Sequence, residues 1–227
     1  MLKKIGAVAA TGAVSAKAAT VSPEKSMTDK LLIREQIENW ALFRDAGKWD
    51  LFESVWHEDG YMMATWFQGP YKDFIKVSKD GFDKGASTIL HFLGGSTIEI
   101  AGNRSIAQTK MTITQRATVH NEQVDVRCTG RFYDFFEKRK DRWAIVLRRL
   151  FYEQDRMDVV DPAKQVKLEP QVLASFPVGY QHLGYLQSKL GFPVKKNMPG
   201  LKGPDADALY AHGRNWLAGK PLGDAKE

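Results

Sequence analysis

The chain has 227 residues, 43% of them hydrophobic and 11% aromatic, which suffices for one large domain with a sizeable core. Its 33 basic and 27 acidic residues leave a net charge of only +6. That excess is scattered, with no basic helix or stacking motif beside it, so a nucleic-acid partner is not expected. The single cysteine, Cys128, excludes an internal disulfide framework and a CxxC metal site.

Residues 1–25 carry no core periodicity. "MLKK", the weakly apolar "IGAVAATGAVSA" and "AKA" follow the order of a secretory signal. The rival reading is a disordered extension before a folded chain that starts near Met27. The first reading makes the mature protein periplasmic or secreted, the second cytoplasmic. There is no run of about 18 apolar residues, so no membrane span is expected.

Ser26 or Thr28 can cap a helix that begins near Asp29, "DKLLIREQIENWALFRDAG", with Gly47 as its stop. A short second helix, "WDLFESVWH", would bury Trp49, Phe52, Val55 and Trp56. "DGYMMATWFQG" reads as a strand between turn residues. "GPYKDFIKVSKDGFDKG" is a third helical pattern, with Phe74, Val77 and Phe82 near helical spacing. Long strand-like runs follow: "TILHFLGGSTIEI", "IAQTKMTITQRATVH", "QVDVRCTGRFYDFFEK" and "RWAIVLRRLFYEQDR". "EKRKDR" at 137–142 reads as the hairpin tip between the last two. In the third run Val124, Val126, Cys128, Gly130 and Phe132 alternate with Asp125, Arg127, Thr129, Arg131 and Tyr133. Period 2 over such lengths predicts antiparallel strands joined by short turns.

Helices first and long strands after make an α+β fold, N-terminal helices packed on a strongly curved antiparallel sheet. There is no βαβ alternation, no GxGxxG and no GxxxxGKS, which disfavours a nucleotide fold. Residues 26–158 form this domain. Residues 159–227 are an extension, entered through the linker-like "DVVDPAKQVKLEP". They are too apolar for pure disorder and should pack on the domain or a neighbouring subunit.

Two residues stand oddly in this scheme. Ile33, Ile37 and Ala41 form one helical row, with Trp40 beside it, and adding four gives Asp45. A carboxylate there is costly unless it is partnered. It either faces inward or reaches water where the helix frays at Gly47. The second is His91, in the apolar stretch "STILHFLGG", where a histidine is either a satisfied core residue or a functional one. His57 beside Glu58 and Asp59 reads as solvated. His120 lies near a strand end, and His182 and His212 lie in the extension. None of the five has HExxH spacing or stands in a ligand cluster, so no metal site is expected. Cys128, in a strand, is either a small buried residue or a nucleophile.

The stretches "LFRDAGKWDLFESVWHEDGYM" at 42–63, "ILHFLGG" at 89–95 and "RWAIVLRRLFYEQDRM" at 142–157 resemble the SnoaL-like part of the NTF2-like superfamily. The pattern is nearest its scytalone dehydratase and hexachlorocyclohexane dehydrochlorinase members. The resemblance covers residues 28–157 and implies a cystatin/NTF2-like cone around one deep, largely apolar pocket. In lyase members an aspartate ending the first helix meets a histidine at the start of a strand, and motif position makes these Asp45 and His91. Trp40 stands where the dehydrochlorinase has a lysine. His120, Tyr61 and Tyr133 are the candidate stand-ins for the second histidine and the tyrosines of the scytalone enzyme.

The expectation is then a cofactor-independent lyase. His91 is the general base and Asp45 orients it, and the substrate is a small apolar or aromatic ring compound. Tyr61, Tyr133, Tyr152 and Arg131 are the candidate donors to a leaving or developing oxygen, and Trp66 and Trp40 are candidate walls. The alternatives are an isomerase or cyclase of the same fold, or a non-catalytic binding or assembly module. The open face of such a sheet commonly pairs, so a homo-oligomer is the default expectation.

Overall fold

The computed structural model describes residues 23–85 and 87–226. The signal-like residues 1–22, and the choice between their two readings, lie outside the described part. Among the described residues no helix is long and apolar enough to cross a membrane.

Helix α1 spans Pro23–Asp45 and buries Asp29, Ile33, Ile37, Trp40, Ala41 and Arg44. It starts earlier than the capping pattern predicts. Thr28 does not cap; its hydroxyl donates back to the Glu24 carbonyl at 3.0 Å inside the helix. Asp29 lies on the same four-residue row as Ile33 and Ile37, and it accepts from Lys138 Nζ at 2.9 Å and Trp143 Nε1 at 2.8 Å. Burial pushes the Asp29 carboxyl upward, but the bonds from Trp143 and Lys138 outweigh it and hold its pKa below the usual value.

Helix α2 is only Trp49–Glu53. Trp56 and His57, read as helical from sequence, open strand β1 (Trp56–Met63), where Trp56 aligns with Ile145. His57 is not solvated: it is 3% exposed and donates from Nε2 to the Glu137 carbonyl at 2.8 Å. Strand β2 (Gln68–Pro70) folds back on β1, and helix α3 (Tyr71–Lys84) follows.

Strands β3 (Thr88–Ala101), β4 (Arg104–Val119), β5 (Glu122–Arg139) and β6 (Arg142–Val159) form an antiparallel meander. The sheet order is β2-β1-β6-β5-β4-β3, and β1 joins β6 in parallel. The β4–β5 and β5–β6 turns place His120 and Asn121, then Lys140 and Asp141, at positive φ. Two-residue hairpin turns require this, because their twist must match that of the strands. The result is the cystatin/NTF2-like cone, an α+β fold in which helices close one face of a curved sheet.

The extension packs on both sides of this cone. It contains α4 (Pro170–Leu173), α5 (Gln181–Lys189) and α6 (Pro204–Leu217). Residues 195–199 run beside the part of β6 that β1 leaves free. There the backbone N–H of Tyr152 donates to the Pro199 carbonyl at 2.9 Å, and the backbone N–H of Lys195 donates to the Thr65 carbonyl at 2.6 Å. Helix α6 lies on the outer face, where Trp216 Nε1 donates to the Phe136 carbonyl at 3.1 Å. A Cβ on Gly213 would sit 1.9 Å from the Tyr133 hydroxyl, so a glycine in mid-helix is what lets Tyr133 and α6 meet.

Candidate active site

The site begins at the end of α1. Gly47, at φ +65, closes the helix, with Gly47 N–H on the Arg44 carbonyl and Lys48 N–H on the Phe43 carbonyl. This termination makes Asp45 the last helical residue. A carboxylate there faces the negative end of the helix dipole, an unfavourable place without donors. Asp45 has them. The backbone N–H of His91 donates to Oδ2 at 2.5 Å, the His91 ring Nδ1 to Oδ1 at 2.8 Å, and Arg44 to Oδ1 at 3.4 Å.

The local cause is the free edge of the sheet. Strand β3 is an end strand, and an uncovered edge presents unpaired backbone groups. Side chains of α1 cover this one: Arg44 donates to the Ile89 carbonyl at 3.2 Å, Asp45 accepts from His91 N–H, and Arg34 donates to the Gly94 carbonyl at 3.1 Å. The same contacts that protect the edge therefore fix the His91 ring.

An ionised carboxylate only accepts, so Nδ1 of His91 carries the proton and Nε2 keeps its lone pair. The His91 side chain is 5% exposed and the Asp45 side chain 15%. Burial lowers the His91 pKa below its usual value, although the bond and charge of Asp45 pull it up. The ring is thus held neutral, in one tautomer and one orientation. Trp40 stands edge-on to it, centroids 5.2 Å apart, and Phe132 lies 6.1 Å away.

Two neighbouring spaces adjoin this pair. An outer vestibule of ≈ 240 Å³ is bounded by Arg44, Asp45, Trp66, Phe82, Gln115 and Phe192 among others. An inner chamber of ≈ 30 Å³, about the share of one water, is bounded by residues including Trp40, His91, Leu150, Tyr152 and Leu183. Arg44, Trp66, Ile89, Gln115 and Gln187 line both spaces and so stand at the boundary between them. Val77 and Phe82 of α3 are exposed apolar residues because they wall the vestibule. Behind Trp40, fully buried Arg148 forms a two-pronged ion pair with Asp134 at 2.6 and 2.7 Å, its guanidinium 4.3 Å from the Trp40 ring. Among the described residues, no three or more His, Cys, Asp or Glu side chains are grouped to hold a metal ion.

Residues 25–149 match the family model of the SnoaL-like domain, more than half of the chain. The chain belongs to the SnoaL-like family. Pea pathogenicity protein 2 of Fusarium vanettenii is 36% identical over 210 residues, 88% of this chain and 90% of that protein. An uncharacterized protein of Emericella nidulans is also 36% identical, over 216 residues and the same shares. Among solved structures, a type 2 hexachlorocyclohexane dehydrochlorinase (LinA) aligns with a TM-score of 0.54 at 8% identity, over 66% of this chain and 98% of that one. A scytalone dehydratase-like protein from Novosphingobium aromaticivorans aligns with a TM-score of 0.52 at 14% identity, over 64% and 100%. At these identities the structural likeness speaks for the fold.

The structure sorts the remaining candidates of this SnoaL-like protein. It brings Trp40 and Trp66 to the cavity and Tyr152 to the inner chamber. Tyr61 alternates with Met62, which lines the chamber, so it faces the other way and lies under Lys226. Arg131 and Tyr133 are on the outer face as well. Arg131 donates to Glu153 at 2.6 Å and to Tyr210, and Tyr133 packs on Phe135, Phe151 and Tyr210. Their row is opposite to Cys128, which registers with Ile113 and through it with His91. His120 is at a hairpin tip, its Nε2 2.7 Å from the Tyr185 hydroxyl. Cys128 is fully buried, and burial pushes its thiol pKa far up, so it is a packing residue.

Sequence reasoning missed Arg44, Gln115, Gln187, Leu183 and Phe192. Gln115 had a signal, since it interrupts the strand row Ile113, Gln115, Ala117 as Asp45 interrupts its helical row. The last three belong to the extension, outside the SnoaL-like match, where no short-range pattern points to a cavity.

Proposed function

We propose that this SnoaL-like protein is a cofactor-independent lyase, a dehydratase or related eliminase, that acts on a small apolar ring compound. The carrying observation is the Asp45–His91 bond of 2.8 Å, which leaves Nε2 as the free ring nitrogen of a neutral histidine that lines a mostly apolar cavity. A binding or assembly module has no need of an oriented base. The names of the two solved neighbours, a dehydrochlorinase and a scytalone dehydratase-like protein, lie in the same reaction class.

The chemistry follows from the geometry. Nε2 takes a proton from a carbon next to a carbonyl or anti to the leaving group. The C–H electron pair becomes the new double bond, and the leaving group departs with its bonding pair. Asp45 stabilises the imidazolium formed at Nδ1–H. Where the leaving oxygen is on the same face as that proton, the imidazolium returns the proton to it and it leaves as water; a group anti to the proton, such as halide, leaves as the anion. Tyr152 suits the role of hydrogen-bond donor to that oxygen, because burial raises its pKa and keeps it protonated. The vestibule that adjoins the chamber is the space of a size to take a ring, with Trp66, Phe82 and Phe192 as its flat walls.

The test is turnover of cyclic β-hydroxyketones and halogenated rings followed by mass spectrometry, with His91→Ala, His91→Gln and Asp45→Asn beside the wild type. The expected product is lighter by one leaving group, and the folded variants lose at least about 10³-fold in rate. Full activity in all three folded variants would sink the dyad. A product of unchanged mass would make the protein an isomerase instead.

A further inference from the structure

The boundary between vestibule and chamber carries two side-chain amides and the Arg44 guanidinium beside the apolar Trp66 and Ile89. Gln115 comes from β4 and Gln187 from α5 of the extension, and they are only 2% and 3% exposed. An amide buried beside Trp66, Ile89 and Phe74 is costly unless its polar atoms are satisfied. Their satisfied atoms differ. Gln187 Oε1 accepts from the Thr65 hydroxyl at 2.7 Å, so its carbonyl is taken and its NH₂ is left. Gln115 Nε2 donates to the Ser87 hydroxyl at 3.3 Å, so its carbonyl oxygen is left. The boundary thus presents a donor from one wall and an acceptor from the other. Both amides line the vestibule and the chamber alike, beside Arg44, which is held to Asp45.

We propose that Gln187 is the specificity-determining residue of the cavity: its NH₂ donates to a ring-borne oxygen of the substrate, a carbonyl or hydroxyl, while Gln115 accepts from a hydroxyl at the same position. This deepens the lyase reading and rests on it for the fate of the ligand, though not for its binding. The substrate class narrows to flat rings bearing an oxygen substituent, with hydrocarbon rings disfavoured because they leave both amides unpaired. Discrimination of this kind is strong where a site's buried polar groups lose their partners. Gln187 lies beyond residue 149, where the SnoaL-like match ends, so this donor is supplied by the extension, while Gln115 and Thr65 belong to the cone. Thr65 is a positioning residue here, since its hydroxyl fixes which end of the Gln187 amide faces the cavity.

Equilibrium binding tests this without turnover. Two probes of one shape, 2-naphthol and naphthalene, are titrated against the full chain, and quenching of tryptophan fluorescence reports occupancy near Trp66 and Trp40. Wild type should bind 2-naphthol about five- to tenfold more tightly than naphthalene, the worth of one or two hydrogen bonds. Gln187→Leu should erase most of that preference through weaker 2-naphthol binding, with naphthalene unchanged or tighter. Thr65→Val should lower the preference by a smaller factor. Circular dichroism confirms that each variant is folded, and Gln187→Met, close in shape and without the donor, serves if the leucine variant is not. Three results would overturn the proposal: equal binding of both probes by wild type, a preference that survives loss of the Gln187 amide in a folded variant, or no binding of either probe. A Gln187-dependent preference in a protein that eliminates nothing would defeat the lyase reading and leave this one standing.

Discussion

Among the described residues, two histidine–aspartate pairs have nearly the same geometry. At the end of α1, Asp45 takes the Nδ1 of His91 on one oxygen and the backbone N–H of His91 on the other, at 2.8 and 2.5 Å. At the start of α5, Asp155 takes the Nδ1 of His182 on one oxygen and the backbone N–H of Leu183 on the other, at 2.9 and 2.7 Å. What differs is the surroundings. The first histidine is 5% exposed and lines a cavity, while the second is 22% exposed and lines neither the vestibule nor the chamber. Asp155 satisfies a backbone donor at the beginning of a helix and ties the extension to β6. The same two residue types thus hold a ring at a cavity in one place and fasten a joint in the other. A pair becomes a candidate site only where its free nitrogen meets a cavity.

The strongest way to break this contrast is Asp45→Asn. An amide keeps the shape but loses the charge that stabilises the imidazolium, so turnover should fall by about 10³–10⁴-fold, measured as kcat/KM on an accepted substrate. The pH profile adds a sign. Burial lowers the His91 pKa below its ordinary 6.5 while Asp45 raises it, so the acid limb of the wild-type profile should lie below 6.5. Removing the Asp45 charge should move that limb to still lower pH. A limb that stays in place would mean that His91 is not the group that titrates.

Asp155→Ala should act on stability instead. It strips the Leu183 N–H and the His182 ring of their acceptor, a cost of about 2 kcal/mol in urea unfolding. The loss should appear first as faster hydrogen exchange in α5, because the joint opens before the cone does. The shape of the acid limb should not change. Large loss of turnover without faster exchange would erase the distinction between the two pairs.

Acid should weaken the fold through the histidines that are buried neutral. His91 and His57 both have pKa values lowered by burial, so the unfolded chain binds more protons than the folded one just below 6.5. Their contribution is full above that pH and is lost as pH falls toward the lowered values. Urea midpoints measured downward from pH 7 should therefore decline, and His57→Gln should flatten part of the decline.

How much of this could be read from the chain depended on period and on parity. Helix phase marked Asp45, since a carboxylate on the Ile33, Ile37, Ala41 row needs a reason, and an apolar strand marked His91. The α+β order was legible because the strands run 14 to 18 residues with clear alternation. Which of two alternating rows faces inward was not legible, because that depends on cross-strand register. The row shared by His91, Ile113 and Cys128 places Arg131 and Tyr133 outside, and the outer face is apolar only because α6 covers it. Gln187 was out of reach for a different reason. It serves the cavity from a nine-residue helix whose own pattern says nothing of the space it meets.

His182→Ala should give the smallest effect and is the most pointed check on the comparison. The ring is partly solvated, and Asp155 keeps its bond to Leu183 N–H when it is lost. Only one hydrogen bond disappears, and water can replace it at that exposure, so the cost in urea should be about 1 kcal/mol or less. Turnover should stay within about twofold of wild type, because α5 remains docked and Leu183 and Gln187 stay on the cavity wall. The mirror-image change, His91→Ala, removes a ring in a like geometry and is expected to abolish turnover. If the two alanine variants cost the same activity, the joint at Asp155 is coupled to the chemistry, and α5 has to be treated as a working part of the site.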